Sequence, residues 1–160
     1  MHRPTRDDVR AEFVRIAADL FADRGFSATS LDDIAAEADY SKAAVLYHFG
    51  SKDDLLVAVM EHHIEQTTDL VARLEAEPDS PTRVEHAIDA LVSFALQRRP
   101  TVPMALTPAH DVATSMARHP DLLGRFSGLR ASMERLLVGD EPTLDQQVRL
   151  LIAFSGIPAL

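Results

Sequence analysis

Lys42 and Lys52 are the only two lysines in a chain of 160 residues whose formal net charge is −9, and Tyr47 and His48 stand between them. An ammonium, a phenol and an imidazole are hydrogen-bond donors, suited to anionic oxygens or to the acceptor atoms of a base edge. The stretch YSKAAVLYHFGSK, residues 40 to 52, holds no acidic residue at all. A weakly basic surface can therefore form on one short element of a negative protein. Ser41 is placed to cap a helix beginning at Lys42, and Ala43 and Ala44 follow with side chains small enough to allow close approach to another surface. Thr29 and Ser30 supply two further hydroxyl donors upstream.

The charge is unevenly spread. Residues 1–52 carry 7 Lys+Arg against 9 Asp+Glu, a net of −2, and residues 53–160 carry 9 against 16, a net of −7. A pI near 5.1 argues against bulk adhesion to nucleic acid, so any such contact must rest on local placement. Other chemistries find little support. His62 and His63 are adjacent and point to different helix faces, which denies them an i, i+4 metal pair, and no metal site is expected. Ser115, His119 and Asp121 lie close in sequence without a nucleophile elbow around them, so no catalytic residues and no cofactor are expected. Without cysteine there is no disulfide and no thiolate site, which suits a reducing cytoplasm. The start, MHRPTRDDVR, lacks the apolar core of a signal peptide, and no run approaches the ~18 apolar residues of a membrane span. A soluble cytoplasmic protein with no membrane partner is the expectation.

With 46% hydrophobic residues the chain can bury a core. Val9, Phe13, Ile16, Ala17, Leu20 and Phe21 recur at helical spacing, and Thr5 with Asp8 predicts a reciprocal cap for a helix from Arg6 to Arg24. Gly25 is expected to end it in the left-handed conformation. Ser30 with Asp33 predicts a second helix of roughly nine residues. Asp39 sits at the following turn, where aspartate tolerates a left-handed backbone less comfortably than glycine. Ser41 should cap a third helix, Lys42 to Phe49, with Val45 and Phe49 on one face and Lys42, Ala43, Tyr47 and His48 left for the others. Two short helices joined by about three residues make a helix-turn-helix.

Gly50 closes the third helix, Ser51 with Asp54 caps a fourth reaching about Glu77, and EPDSP marks the first clear break. Ser80 and Pro81 open another helix ending near Arg99. Four prolines between residues 100 and 120 predict short or kinked helices, and Pro120 precedes a helix running through Leu137. Thr143 with Gln146 forms a last capping box before VRLLIAFSGIPAL. Nothing alternates as a strand would, so the fold class is all-α. Phe13, Leu20, Phe21, Ile34, Val45 and Phe49 are the expected centre of the first helices.

From Phe13 to Leu56, the chain, with its stretch RIAADLFADRGFSATSLDDIAAEADYSKAAVLYHFGSKDDLL, resembles the TetR family of bacterial one-component transcription regulators. The likeness lies in the uninterrupted order Gly-Phe, Thr-Ser, Asp-Ile-Ala, Ser-Lys, Tyr-His-Phe and Ser-Lys-Asp. Two places depart from it: Asp39-Tyr40 stand where the family usually has Gly-Val, and Val45-Leu46 where it usually has Leu-Tyr. Leu46 removes a hydroxyl that commonly reaches phosphate, which leaves more of that contact to Tyr47 and His48.

The resemblance implies an N-terminal three-helix DNA-binding domain, residues 1–52, followed by a helical effector-binding and dimerisation domain, residues 53–160. Its implied DNA-binding residues are Thr29, Ser30, Ser41, Lys42, Ala43, Ala44, Tyr47, His48 and Lys52. Lys42 would donate to guanine O6 or N7, for which a good contact discriminates by about 1–3 kcal/mol, and the alanine methyls would touch thymine methyls. Tyr47 would reach a base or a phosphate, Lys52 and the first N–H groups of its helix a phosphate, and Arg3 and Arg6 the DNA backbone or minor groove. In the second domain Phe94, Met104, Leu106, His110, Met116, Phe126 and Met133 would line a pocket for a partly apolar effector. Val148 to Leu160 is more apolar than a one-faced helix requires, which suggests a homodimer interface. Family members usually continue with a further helix beyond this point, so the second domain reads as shortened or only partly represented.

The expected function is a ligand-responsive dimeric regulator, a repressor on a palindromic operator released by a small molecule. A helical small-molecule-binding protein without DNA-binding activity is the alternative, motivated by net acidity and Leu46. An enzyme using the helical pocket is a distant third.

Overall fold

Short Ser/Thr-to-Asp spacings open the first helices. In α1 (Arg6–Arg24) the Asp8 N–H donates to the Thr5 hydroxyl oxygen at 3.2 Å, while the Asp8 carboxylate accepts from the Thr5 N–H at 2.8 Å. Hydrogen bonds from the Thr5 side chain, then from its backbone, hold the Asp8 carboxyl below its ordinary range. Ser30 and Asp33 repeat this box at α2 (Leu31–Glu37), with the same consequence for Asp33. Ser41 caps α3 (Lys42–Phe49) by accepting from Ala44, and Ser51 caps α4 (Lys52–Glu75) by accepting from Asp54. Each such cap satisfies a donor that the helix cannot.

The computed structural model describes residues 4–78, 82–97, 118–139 and 144. Among the described residues there are two further helices, α5 (Arg83–Gln97) and α6 (Pro120–Val138), and no strand. The all-α class is the observed one. Pro120 occupies the first turn of α6, where its missing N–H costs nothing. Ser80, Pro81, Arg99, most of the proline-rich segment, and the Thr143–Gln146 box with the apolar run after it lie outside the described residues.

Two ends differ from expectation. α2 stops after seven residues, because Tyr40 N–H donates to the Ala35 carbonyl at 2.9 Å and Asp39 N–H to the Ala36 carbonyl at 3.3 Å. That crossed pair is a Schellman motif, and Asp39 takes the left-handed position in it with φ 57°. Gly25, by contrast, is not left-handed helical: φ 84° and ψ 156° place it in the extended positive-φ region that is essentially reserved for glycine. A Cβ there would meet nothing within 4 Å, so the constraint is conformational rather than spatial. Gly25→Ala is therefore expected to cost about 1–3 kcal/mol of stability. A thermal midpoint unchanged from the parent chain would refute that conformation.

Two apolar clusters share α4. The first joins Phe13, Ile16, Ala17, Leu20 and Phe21 of α1 to Ile34, Val45 and Phe49, and closes with Leu55, Leu56, Ala58 and Val59 of α4. The second joins Ile64, Val71 and Leu74 of the same helix to Ala87 of α5 and Leu122, Leu129 and Leu136 of α6. Met60, half-buried, packs on both. Apolar packing thus does not divide at 52/53, since the three-helix unit is lidded by the first turns of α4. Arg125–Glu65 at 3.0 Å and Arg135–Glu75 at 3.6 Å add exposed ion pairs between α6 and α4, each contributing about 1 kcal/mol at most. α5 turns Ala87, Ala90 and Leu91 to the second cluster and leaves Val84, Ile88 and Val92 exposed at four-residue spacing.

Candidate nucleic-acid interface

α3 is anchored by one face and bare on the other. Val45 is fully buried and Phe49 nearly so, while Lys42, Ala43, Leu46 and Tyr47 face outward, Tyr47 being 70% exposed. Ala44 is half-buried against the first core, and Ser41 is exposed at the cap. Because α3 is only eight residues long, its direction is set by what grips Val45 and Phe49 rather than by intrinsic helicity. Phe13 provides that grip. Its ring meets those of Tyr40, His48 and Phe49 at centroid distances of 5.3, 5.6 and 6.3 Å, all edge-on.

Lys42 does not stand free. Its Nζ lies 2.8 Å from Asp32 Oδ2 of α2, with both side chains at least half exposed. Ser30 is exposed, but its hydroxyl is committed to Asp33 of its own capping box.

Two residues expected at phosphates are turned inward instead. Thr29 is 1% exposed, and its hydroxyl lies 2.9 Å from the Gly25 carbonyl and 3.2 Å from that of Leu20, so it fastens the α1–α2 connection. Lys52 donates to the carbonyls of Phe26 and Thr29, both at 2.9 Å, and its ammonium sits 4.2 Å from the centre of the Phe26 ring. Two of its three donors are spent within the chain, bracing that connection against the start of α4. Lys52→Met should accordingly lower stability by about 2 kcal/mol, roughly 4–8 °C in the thermal midpoint, given that hydrogen bonds from a charged donor contribute more than neutral ones. A phosphate contact alone would leave the midpoint in place.

His48 is half-buried, with its ring against Phe13 and perpendicular to Tyr47 at 5.4 Å. Its Nδ1 is buried with no hydrogen-bond partner among the described residues. Burial first, then the nearby Arg6 and Arg10 guanidiniums, push the imidazole below the ordinary 6.5, with Asp7 opposing them. His48 is thus a neutral packing group at neutral pH. The unfolded chain takes up its proton first as pH falls below 6.5, so stability drops from there until the folded imidazole also protonates. Between about pH 7.5 and about pH 5.5, His48→Gln should lose less thermal stability than the parent chain; equal losses would remove His48 from this role.

Arg6 and Arg10, one turn apart on α1, were not both evident from the motif. The Arg6 guanidinium carbon sits 5.2 Å from the Tyr47 ring centre and that of Arg10 4.9 Å from the Phe49 ring centre. They place two cations beside α3; their i, i+4 spacing was the available signal. Arg3 lies outside the described residues.

Of the residues expected to line an effector pocket, Phe94 lies beside the His63 ring, and Phe126 and Met133 pack half-buried on the second core. Met104, Leu106, His110 and Met116 lie outside the described residues. Among the described residues no three His, Asp or Glu side chains gather as a metal site, and no helix is long and apolar enough to cross a membrane.

A second short helix bare on one side, held across a tight turn by the first, is a helix-turn-helix, a motif that DNA-binding proteins use. Residues 14–59 match the sequence profile of the family described as bacterial regulatory proteins, tetR family. The HTH-type transcriptional activator FasR of Mycolicibacterium smegmatis is 28% identical over 151 residues, 85% of this chain and 68% of its own length. An HTH-type transcriptional repressor of Mycobacterium tuberculosis is 40% identical over 77 residues, 42% of this chain and 41% of its own. A TetR/AcrR-family regulator from Thermobifida fusca superposes with a TM-score of 0.58 at 25% identity, covering 93% of this chain and 81% of that one. A transcriptional regulator from Saccharomonospora viridis, solved in complex with choline, gives 0.63 at 22% identity over 94% and 83%. Over residues 14–59 the chain thus matches the tetR-family profile, and the relatives it is similar to are transcriptional regulators.

Proposed function

We propose that this chain acts in the cytoplasm as a ligand-responsive homodimeric repressor, binding a palindromic operator through α3 and released from it by a small, partly apolar molecule. The observation that carries the reading is the bare face of α3, where Lys42, Ala43 and Tyr47 point outward from a helix locked by Val45 and Phe49. Ser41, Arg6 and Arg10 border it as candidate donors to phosphate oxygens, while Ala44, His48, Thr29 and Lys52 hold the reading helix in position and Ser30 caps α2.

A palindrome follows from a dimer with two such heads about 34–36 Å apart, one turn of DNA. For a subunit interface we rely on the apolar run after Val148, and for an effector on the second cluster and the stripe Val84, Ile88 and Val92, exposed among the described residues. The relative solved with choline gives a precedent for a small ligand on this fold. An effector that prefers a head spacing wrong for the operator weakens DNA affinity by the same factor by which DNA weakens effector binding. Relatives named as activator and repressor both occur, so a promoter fusion with and without the intact gene decides direction. Rising expression on deletion supports repression, and falling expression overturns it. Salt-dependent binding to a duplex from the neighbouring promoter separates this reading from a small-molecule-binding protein without DNA activity, which would show none.

A further inference from the structure

Asp32, in the first turn of α2, and Lys42, in the first turn of α3, meet at 2.8 Å with 66% and 50% of their side chains exposed. The pair sits at the cap end of the reading helix, where no residue from Tyr40 to Lys52 is acidic. Stability does not account for it, because an exposed ion pair contributes little. A carboxylate beside DNA also repels phosphates and lowers general affinity. What the pair offers is a donor and an acceptor side by side. In the major groove guanine presents the acceptors O6 and N7, and its cytosine presents the N4 donor beside them.

We propose that Asp32 is a specificity-determining residue that reads, together with Lys42, one G·C pair in one orientation. Lys42 donates to guanine O6 and N7, and Asp32 accepts from cytosine N4. Reversing the pair sets the carboxylate against guanine O6 and the ammonium against an amino group, so both contacts become repulsive. Asp32 thus acts by rejection as well as by attraction, and weak non-specific binding is the cost of that discrimination. This rests on the reading of α3 as the DNA-facing helix.

The test is selection from a pool of random duplexes by the intact chain and by Asp32→Ala and Asp32→Asn, with binding of one unselected duplex measured alongside. Asp32 is exposed and Ser30–Asp33 still caps α2, so both variants should keep the parent unfolding midpoint within about 1 °C, as surface changes do. The parent should prefer G·C over C·G roughly tenfold or more at one position of the enriched motif. Asp32→Ala should reduce that preference to about threefold or less at that position alone, while binding the unselected duplex more tightly. If both variants enrich the parent's motif with undiminished preference everywhere, the inference is overturned and the reading of α3 stands. If the parent enriches no motif at all, the reading of α3 fails and this inference falls with it.

Discussion

Phe13→Ala should lower the stability of the amino-terminal unit by about 3–5 kcal/mol, a large part of the 5–15 kcal/mol that typical domains possess. Phe13 is fully buried and is the one ring that touches Tyr40 at the turn and both His48 and Phe49 on α3. Its removal leaves a cavity between α1 and α3 that two short, capped helices cannot close, since neither is long enough to hold its direction alone. Denaturant titration should show a lower midpoint with little change in slope. DNA affinity should fall with it, because the bare face of α3 is aimed by this contact. A loss under about 1 kcal/mol would mean that some other group sets the position of α3.

Lys42→Ala and Tyr47→Ala should have the opposite profile, weakening operator binding while leaving the fold in place. Neither side chain belongs to a core cluster, and Tyr47 is the most exposed aromatic described on the helix. For Lys42 the expected loss is about 1–3 kcal/mol, roughly 5- to 150-fold in affinity at the preferred sequence. In the free protein the ammonium must leave Asp32 or share it; that exposed pair contributes about 1 kcal/mol at most, so a good base contact wins. Tyr47→Phe should lose only the hydroxyl's share, about 0.5–1.5 kcal/mol, and Tyr47→Ala more, because Arg6 then loses the ring on which it rests. Titrations of the three variants against one duplex decide the matter. Unchanged affinity and sequence preference in both alanine variants would remove α3 from the reading role.

What could be read from the sequence follows the range of the interactions. Caps act over three residues, so the Thr5, Ser30, Ser41 and Ser51 starts were legible, and α1 and α3 begin and end where the pattern puts them. The early stop of α2 was not, because the crossed bonds to Ala35 and Ala36 compete with one more helical turn and local propensity does not say which wins. The inward roles of Thr29 and Lys52 were hidden for a different reason. Apart from the Gly25 carbonyl four residues from Thr29, their partners lie 9, 23 and 26 residues away, and a threonine or lysine reads as a surface donor until those carbonyls are in view. Asp32 was overlooked because it belongs to a helix whose acidic start has the ordinary dipole explanation; only the turn brings it to Lys42. His48 stood between two roles in sequence, and the Phe13 ring with the two neighbouring arginines decides in favour of packing.

The proposed reading of DNA through a pair of α3 helices is checked by selecting bound duplexes from a random pool with the parent chain. Enrichment of two inverted half-sites with centres about 34–36 Å apart, one helical turn, is the expected result. A pool that stays unenriched, or that yields a single unpaired half-site, would contradict it.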